Sequence, residues 1–227
     1  MVKNKIILVG YLGWVKNHLL LILFCIMVCC INTKYLSAQI IEKEYTNLND
    51  ALKEPEKVLK LNLQNQPDNE FFKQLSKFKN LEYLNLRNTK IKALPTEINM
   101  LRKLKVLDLG ENELSVLPKS FTGLKNLTEL YLDHEKNLKL AEDFEILSEL
   151  QNLRILHLEN NNIKTLPKNI NKLYQIEMLY LNDNKLKNLP LEVKELKNLK
   201  YLDIYHNPLV IPVDVIKKTY GGIKINL

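Results

Sequence analysis

The residues best suited to chemistry gather in the second half of the chain. His134, His157 and His206 fall beside Asp133 and Glu159, a mixture of imidazoles and carboxylates that elsewhere holds a metal ion or moves protons. Tyr131, Tyr180, Tyr201 and Tyr205 accompany them. A metal site needs convergent ligands, and here the spacing follows a longer period of the sequence rather than a ligand motif. No nucleophile–base pair and no glycine-rich phosphate loop stands out. These side chains therefore read as a contact surface, with no metal, no cofactor and no catalysis expected. Cysteine chemistry is excluded more firmly. Cys25, Cys29 and Cys30 all lie in the first 38 residues, so the rest of the chain has no disulfide, thiolate ligand or thiol nucleophile.

What positions these residues is a repeat. The stretches 81–103, 104–126, 153–175 and 176–198 are each 23 residues long and share the pattern L-x-x-L-x-L-x-x-N-x-L, with Thr89 in place of the asparagine in the first of them. A longer unit, 127–152, lies between them, a degenerate one precedes them at 58–80, and a last one starts at Leu199, making seven. Leu84 and Leu86 alternate with Asn85, which is the period of a strand whose leucines point into a core. Parallel stacking of such strands needs a return crossover, supplied by the other half of each unit. There Pro95, Pro118, Pro167 and Pro190 are expected in the first turn of a short helix or 3₁₀ segment. Asn112, Asn161, Asn184 and Asn207 recur at one position after the strand, where a buried amide satisfies turn backbone groups. They are expected to stack as a ladder, with Thr89 a partial substitute. One unit cannot bury its apolar face alone, so stability comes from stacking neighbours.

The outward strand positions can be read in register. Tyr131, His157, Tyr180 and Asp203 share one row; Met178 and Tyr201 share a second; Asp133, Glu159 and Tyr205 share a third. Aromatic side chains with a polar tip are typical of interface hot spots, so these nine residues are the candidate partner-binding patch. The plainer alternative is that tyrosine is a good strand residue that makes cross-strand pairs.

The fourth unit departs from the pattern. It is three residues longer, and Asp133-His134-Glu135-Lys136-Asn137 reads as a bulge after its strand. It lacks the proline, and Phe144, Leu147 and Leu150 at spacing three predict a longer helix. The first unit lacks the Leu-Pro pair. At the ends, residues 39–57 read as an N-terminal cap with a small helix over Leu48 to Lys53. Residues 210–227 read as a C-terminal cap, with a helix over Pro212 to Tyr220 and an extended tail from Ile223.

Residues 1–38 stand apart. Lysines precede a run of 13 apolar residues, Leu19 to Ile31, short for a membrane span but suited to a signal peptide. Cleavage is expected after Ala38, which places the protein outside the cell or in the cell envelope. An uncleaved anchor is the alternative, as is lipidation at a leader cysteine. The net charge of +7 owes four charges to leader lysines, and the remainder carries only +3. Nothing there calls for nucleic acid or an anionic membrane as partner. Lysines near the unit ends, such as Lys103 and Lys172, read as a solvated outer face.

The repeat units resemble those of leucine-rich-repeat proteins of the 23-residue "LP" class, found in disease-resistance-type, Ras-scaffold-type and many bacterial proteins. The opening region 45–66 is similar in style to secreted bacterial members, notably spirochaete ones. The resemblance implies an α/β solenoid: a curved right-handed arc with a parallel sheet on the concave side and short helices or 3₁₀ turns on the convex side, over residues 58–209. It also implies a monomeric protein-recognition module that binds a protein partner on the concave face. An intracellular or membrane-anchored signalling scaffold is the alternative placement.

Overall fold

A computed structural model describes residues 43–67, 69–210 and 212–227. The expected leader, its cleavage point and the first residues of the N-terminal cap lie outside them. The described residues form one sheet of nine parallel strands in chain order. The strands are β1 (Glu44–Tyr45), β2 (Lys60–Asn62), β3 (Tyr83–Asn85), β4 (Val106–Asp108), β5 (Glu129–Tyr131), β6 (Ile155–His157), β7 (Met178–Tyr180), β8 (Tyr201–Asp203) and β9 (Lys224–Asn226). Seven of them, β2 to β8, come from the seven units. The other two come from the caps: β1 covers one sheet edge and β9 the other. The strand in the N-terminal cap was not expected. Covering both outer units protects apolar faces and backbone groups that a stack must otherwise expose.

Each of the seven repeat strands, β2 to β8, is three residues long, with its central leucine and the leucine or isoleucine two residues on turned inward. Leu84, Leu107, Leu130, Leu156 and Leu202 are fully buried, and Leu86, Leu109 and Leu132 lie just behind them. A left-handed residue then turns the chain. Asn88, Glu111, His134, Asn160, Asp183 and His206 all have φ between 53° and 60°. Asn and Asp tolerate this region best. His134 and His206 are thus turn residues at the sheet margin.

The ladder position follows that turn. Asn112 Oδ1 accepts the backbone N–H groups of Thr89 and Ile91, each at 3.0 Å, and its Nδ2 donates to the Leu86 and Leu109 carbonyls. Asn184 does the same for the N–H groups of Asn161 and Ile163 and the carbonyls of Leu158 and Leu181. Each amide thereby stitches its own unit to the one before. Thr89 Oγ1 donates to the Leu86 carbonyl of its own unit.

The return segments of the regular units are 3₁₀ turns: Thr96–Met100, Lys119–Gly123, Lys168–Lys172 and Leu191–Glu195. Their prolines do not sit in the first turn as expected. Each is the extended residue just before it, with φ near −70° and ψ near 150°, as at Pro118. Its carbonyl accepts the first 3₁₀ hydrogen bond, from Phe121 N to Pro118 O at 2.9 Å. Proline's locked φ suits that place and its missing donor is not needed.

The fourth unit corrects a second expectation. The three extra residues are not a bulge at 133–137. Glu135 occupies the ladder position itself, 23 residues after Asn112, and is completely buried. Phe144 then falls nine residues beyond it, as Phe121 does beyond Asn112. The insertion is one added turn of helix, converting a 3₁₀ turn into the α-helix α2 (Leu140–Ser148). Phe144, Leu147 and Leu150 are all fully buried along it. The caps contribute α1 (Leu48–Ala51), whose first turn is capped by the Asn47 side chain, and α3 (Val213–Thr219). Tyr220, after α3, is buried, and its hydroxyl donates to the Leu189 and Pro190 carbonyls, tying the C-terminal cap to the repeats.

Candidate recognition surface

The outward rows of β5 to β8 carry a continuous line of rings. In-register pairing sets Tyr131 beside His157 and His157 beside Tyr180. Tyr131 and His157 stack at 3.9 Å between centroids with 8° between planes; His157 and Tyr180 stack at 4.4 Å and 5°. Tyr201 closes the line, tilted by 54° at 5.4 Å from Tyr180. Parallel strands about 4.8 Å apart hold side chains of one row at stacking distance, so the sheet spacing builds this line directly. The rings stand on the sheet side by side and turn their edges outward. Tyr205 leaves the line and stacks on His206 at 3.8 Å instead, 45% exposed.

Carboxylates fix the rings. Tyr131 donates its hydroxyl to Glu129 at 2.6 Å, and burial together with Glu129 pushes that phenol above its ordinary range. His157 lies between Glu159 Oε1 at 2.9 Å and Glu129 Oε1 at 3.3 Å. Tyr201 donates to Asp203 at 3.0 Å. Asp203 also accepts from the Tyr205 backbone N–H and from Asn226, so it is 9% exposed and engaged within the fold. Met178 is half-buried on the same strand face as Tyr180, whose hydroxyl meets its sulfur at 3.9 Å. Glu129 joins the patch: it lies in the outward row of Met178 and Tyr201, two residues before Tyr131 on the same strand face, and was not among the nine residues the sequence singles out.

A second cluster sits on β3 to β5. Arg87 reaches across β4 to Asp133, with Nη2 to Oδ1 at 2.6 Å and Nη1 to Oδ2 at 2.8 Å. On the way it meets Asp108 at 3.2 Å and Glu111 at 2.9 Å. Gly110 makes the reach possible. A Cβ there would come within 2.6 Å of Asp133 Oδ1 and 2.7 Å of the Arg87 guanidinium carbon. Asp133 also meets His134 at 2.8 Å and its side chain is 8% exposed, so it serves the bridge rather than the open surface. The three histidines do not converge: His134 pairs with Asp133 and His206 with Asp183, away from His157. No group of three or more metal-ligating side chains able to hold an ion occurs among the described residues.

Two sequence families describe the repeats. The family model for a leucine-rich repeat region matches residues 54–152, and that for a leucine rich repeat matches residues 151–209. The chain belongs to the leucine-rich repeat family. Such domains commonly mediate protein–protein interaction, and both family and fold are typically non-enzymatic. Among solved structures, this leucine-rich repeat protein is similar to a leucine-rich repeat protein of Leptospira interrogans, at 30% identity and a TM-score of 0.58, over 82% of this chain and 59% of that one. It is also similar in fold to an internalin of Listeria monocytogenes, at 20% identity and a TM-score of 0.55, over 74% of this chain and 46% of that one. The chain thus spans less than two thirds of either neighbour. No curated protein is significantly similar in sequence.

Proposed function

We propose that the protein is an exported, non-enzymatic recognition module that binds a protein partner through the open sheet face over β5 to β8. The observation that carries this is the line of Tyr131, His157, Tyr180 and Tyr201, with Met178 and Tyr205 flanking it. Stacking and hydrogen bonds hold these large side chains in place before any partner arrives, so binding costs little side-chain entropy. Glu129, Glu159 and Asp203 fix its members, and Asp133 borders it as part of the Arg87 bridge. Fold alone does not assign a function; this surface is what distinguishes the chain as a binder.

The test is a paired variant, Tyr180→Ala with Tyr205→Ala, in capture of partners from the surroundings of the producing cell. Loss of capture with unchanged thermal stability supports the assignment. Retained capture refutes it. Export is tested by intact-mass analysis of culture supernatant and washed cells. A species starting at Gln39 in the supernatant supports it; full-length protein confined to cells favours an anchored or intracellular scaffold.

A further inference from the structure

The charge on this face is one-sided. From β4 to β8 the outward strand positions and the row that follows them hold Asp108, Glu129, Asp133, Glu159 and Asp203, and no lysine or arginine. Arg87 reaches in from β3 and compensates Asp108 and Asp133. Nothing equivalent reaches Glu129 and Glu159. Both share the single imidazole of His157, and a neutral imidazole has one N–H to donate; Glu129 also accepts the neutral Tyr131 hydroxyl, so among the described residues neither carboxylate meets a lysine or arginine. Glu159 Oε2 is buried with no hydrogen-bond partner among the described residues. Two carboxylates therefore bracket one ring in the middle of the aromatic line.

Resting on the proposed recognition role, we propose that the partner presents a positively charged, extended segment. One arginine of it pairs with Glu129 and Glu159, its methylenes lying along the edges of Tyr131 and Tyr180. Arginine suits the place because its planar fork satisfies two carboxylates at once and its flat, weakly hydrated cation lies well on aromatic surface.

The probe is a labelled, capped octapeptide alternating arginine and serine, read by fluorescence anisotropy against the full-length chain. Its twin carries citrulline at every arginine. The arginine peptide is expected to bind at least tenfold more tightly than the citrulline peptide, and less tightly as salt rises. The paired variant Glu129→Gln with Glu159→Gln keeps the shapes and removes the charges, and is expected to lose that preference. Glu97→Gln with Glu149→Gln removes two exposed carboxylates elsewhere and is expected to retain it. Ile155→Lys places an internal cation in register beside Glu129 and is expected to weaken the arginine peptide without removing any carboxylate. Equal affinity for the two peptides, or equal loss in the Glu97/Glu149 variant, overturns the proposal. If the arginine peptide fails while partner capture still depends on Tyr180 and Tyr205, the cationic chemistry falls and the recognition face stands. If capture is indifferent to those tyrosines, the face itself falls.

Discussion

Glu135 makes the stability of this protein depend on pH in a direction opposite to that of most surface carboxylates. It stands where the neighbouring units have asparagine, and it is fully buried. Its Oε1 accepts the Asn112 backbone N–H at 2.8 Å and its Oε2 accepts the Leu114 N–H at 2.7 Å. Burial raises its pKa from 4.5 to about 7; the two N–H groups pull the other way, and nearby Asp133 and Glu113 add to the rise. In the unfolded chain the group ionises near 4.5, in the folded chain near 7. The folded state holds the proton more tightly, so stability is complete below pH 4.5 and falls as pH rises toward and through 7. At 1.36 kcal/mol per unit, the loss reaches at most about 3 kcal/mol, a large share of a typical domain's total.

The substitution Glu135→Gln isolates this effect. A glutamine amide resembles the protonated acid: one oxygen still accepts, and one N–H of the neighbouring unit faces a donor in both. The variant is therefore expected to match the parent near pH 4.5 and to exceed it at pH 8 by up to about 3 kcal/mol. Urea unfolding across pH 4.5 to 8 measures it. Asp143 contributes in the same sense. It is buried, accepts the Leu117 N–H at 2.8 Å, and is raised by burial to about 6. The parent curve should thus retain a slope in the variant, but a smaller one. Surface acids such as Glu145 and Glu177, lowered by Lys172 and Lys200, act oppositely and lose their contribution only as pH falls through their lowered values. A parent whose stability is flat or rising from pH 5 to 7.5 refutes the reasoning, as does a variant with the parent's slope.

The other predictions concern single junctions. Asn112→Ala leaves two buried N–H groups and weakens two carbonyls, and is expected to cost at least about 3 kcal/mol in urea unfolding. Gly110→Ala forces Arg87 and Asp133 apart and is expected to cost about 2 kcal/mol; the same change made on top of Arg87→Ala should cost clearly less, which a double-mutant cycle reads. Arg87→Ala alone strands Asp133 buried without its guanidinium partner and is expected to destabilise by about 3 kcal/mol in the same measurement. Phe144→Ala empties the core beneath α2 and is expected to cost about 3–5 kcal/mol by the same measurement.

The strands and the ladder were legible because their rule is local. A leucine two residues after another on a three-residue strand must face the same way, and one face must be buried. Register follows from the 23-residue period, which alone sets Tyr131, His157 and Tyr180 side by side. The fourth unit was misread because its ladder residue is defined by function, not by type. What the position requires is an acceptor for two backbone N–H groups, and Glu135 meets that need. Measured from Glu135 to Phe144, the spacing is regular and the extra turn falls in the helix rather than in a bulge at 133–137. The roles of Asp133 and Asp203 were hidden for another reason. A row assignment says which way a side chain leaves the sheet, but not which neighbour can reach it. Arg87 is long enough to cross a strand, and Gly110 leaves the space, so the two faces of one patch diverge. Over β3 to β5 the charges are spent on each other and rigidify the sheet. Over β5 to β8 they hold the rings but leave Glu129 and Glu159 short of a cation, and that imbalance is what a partner can recognise.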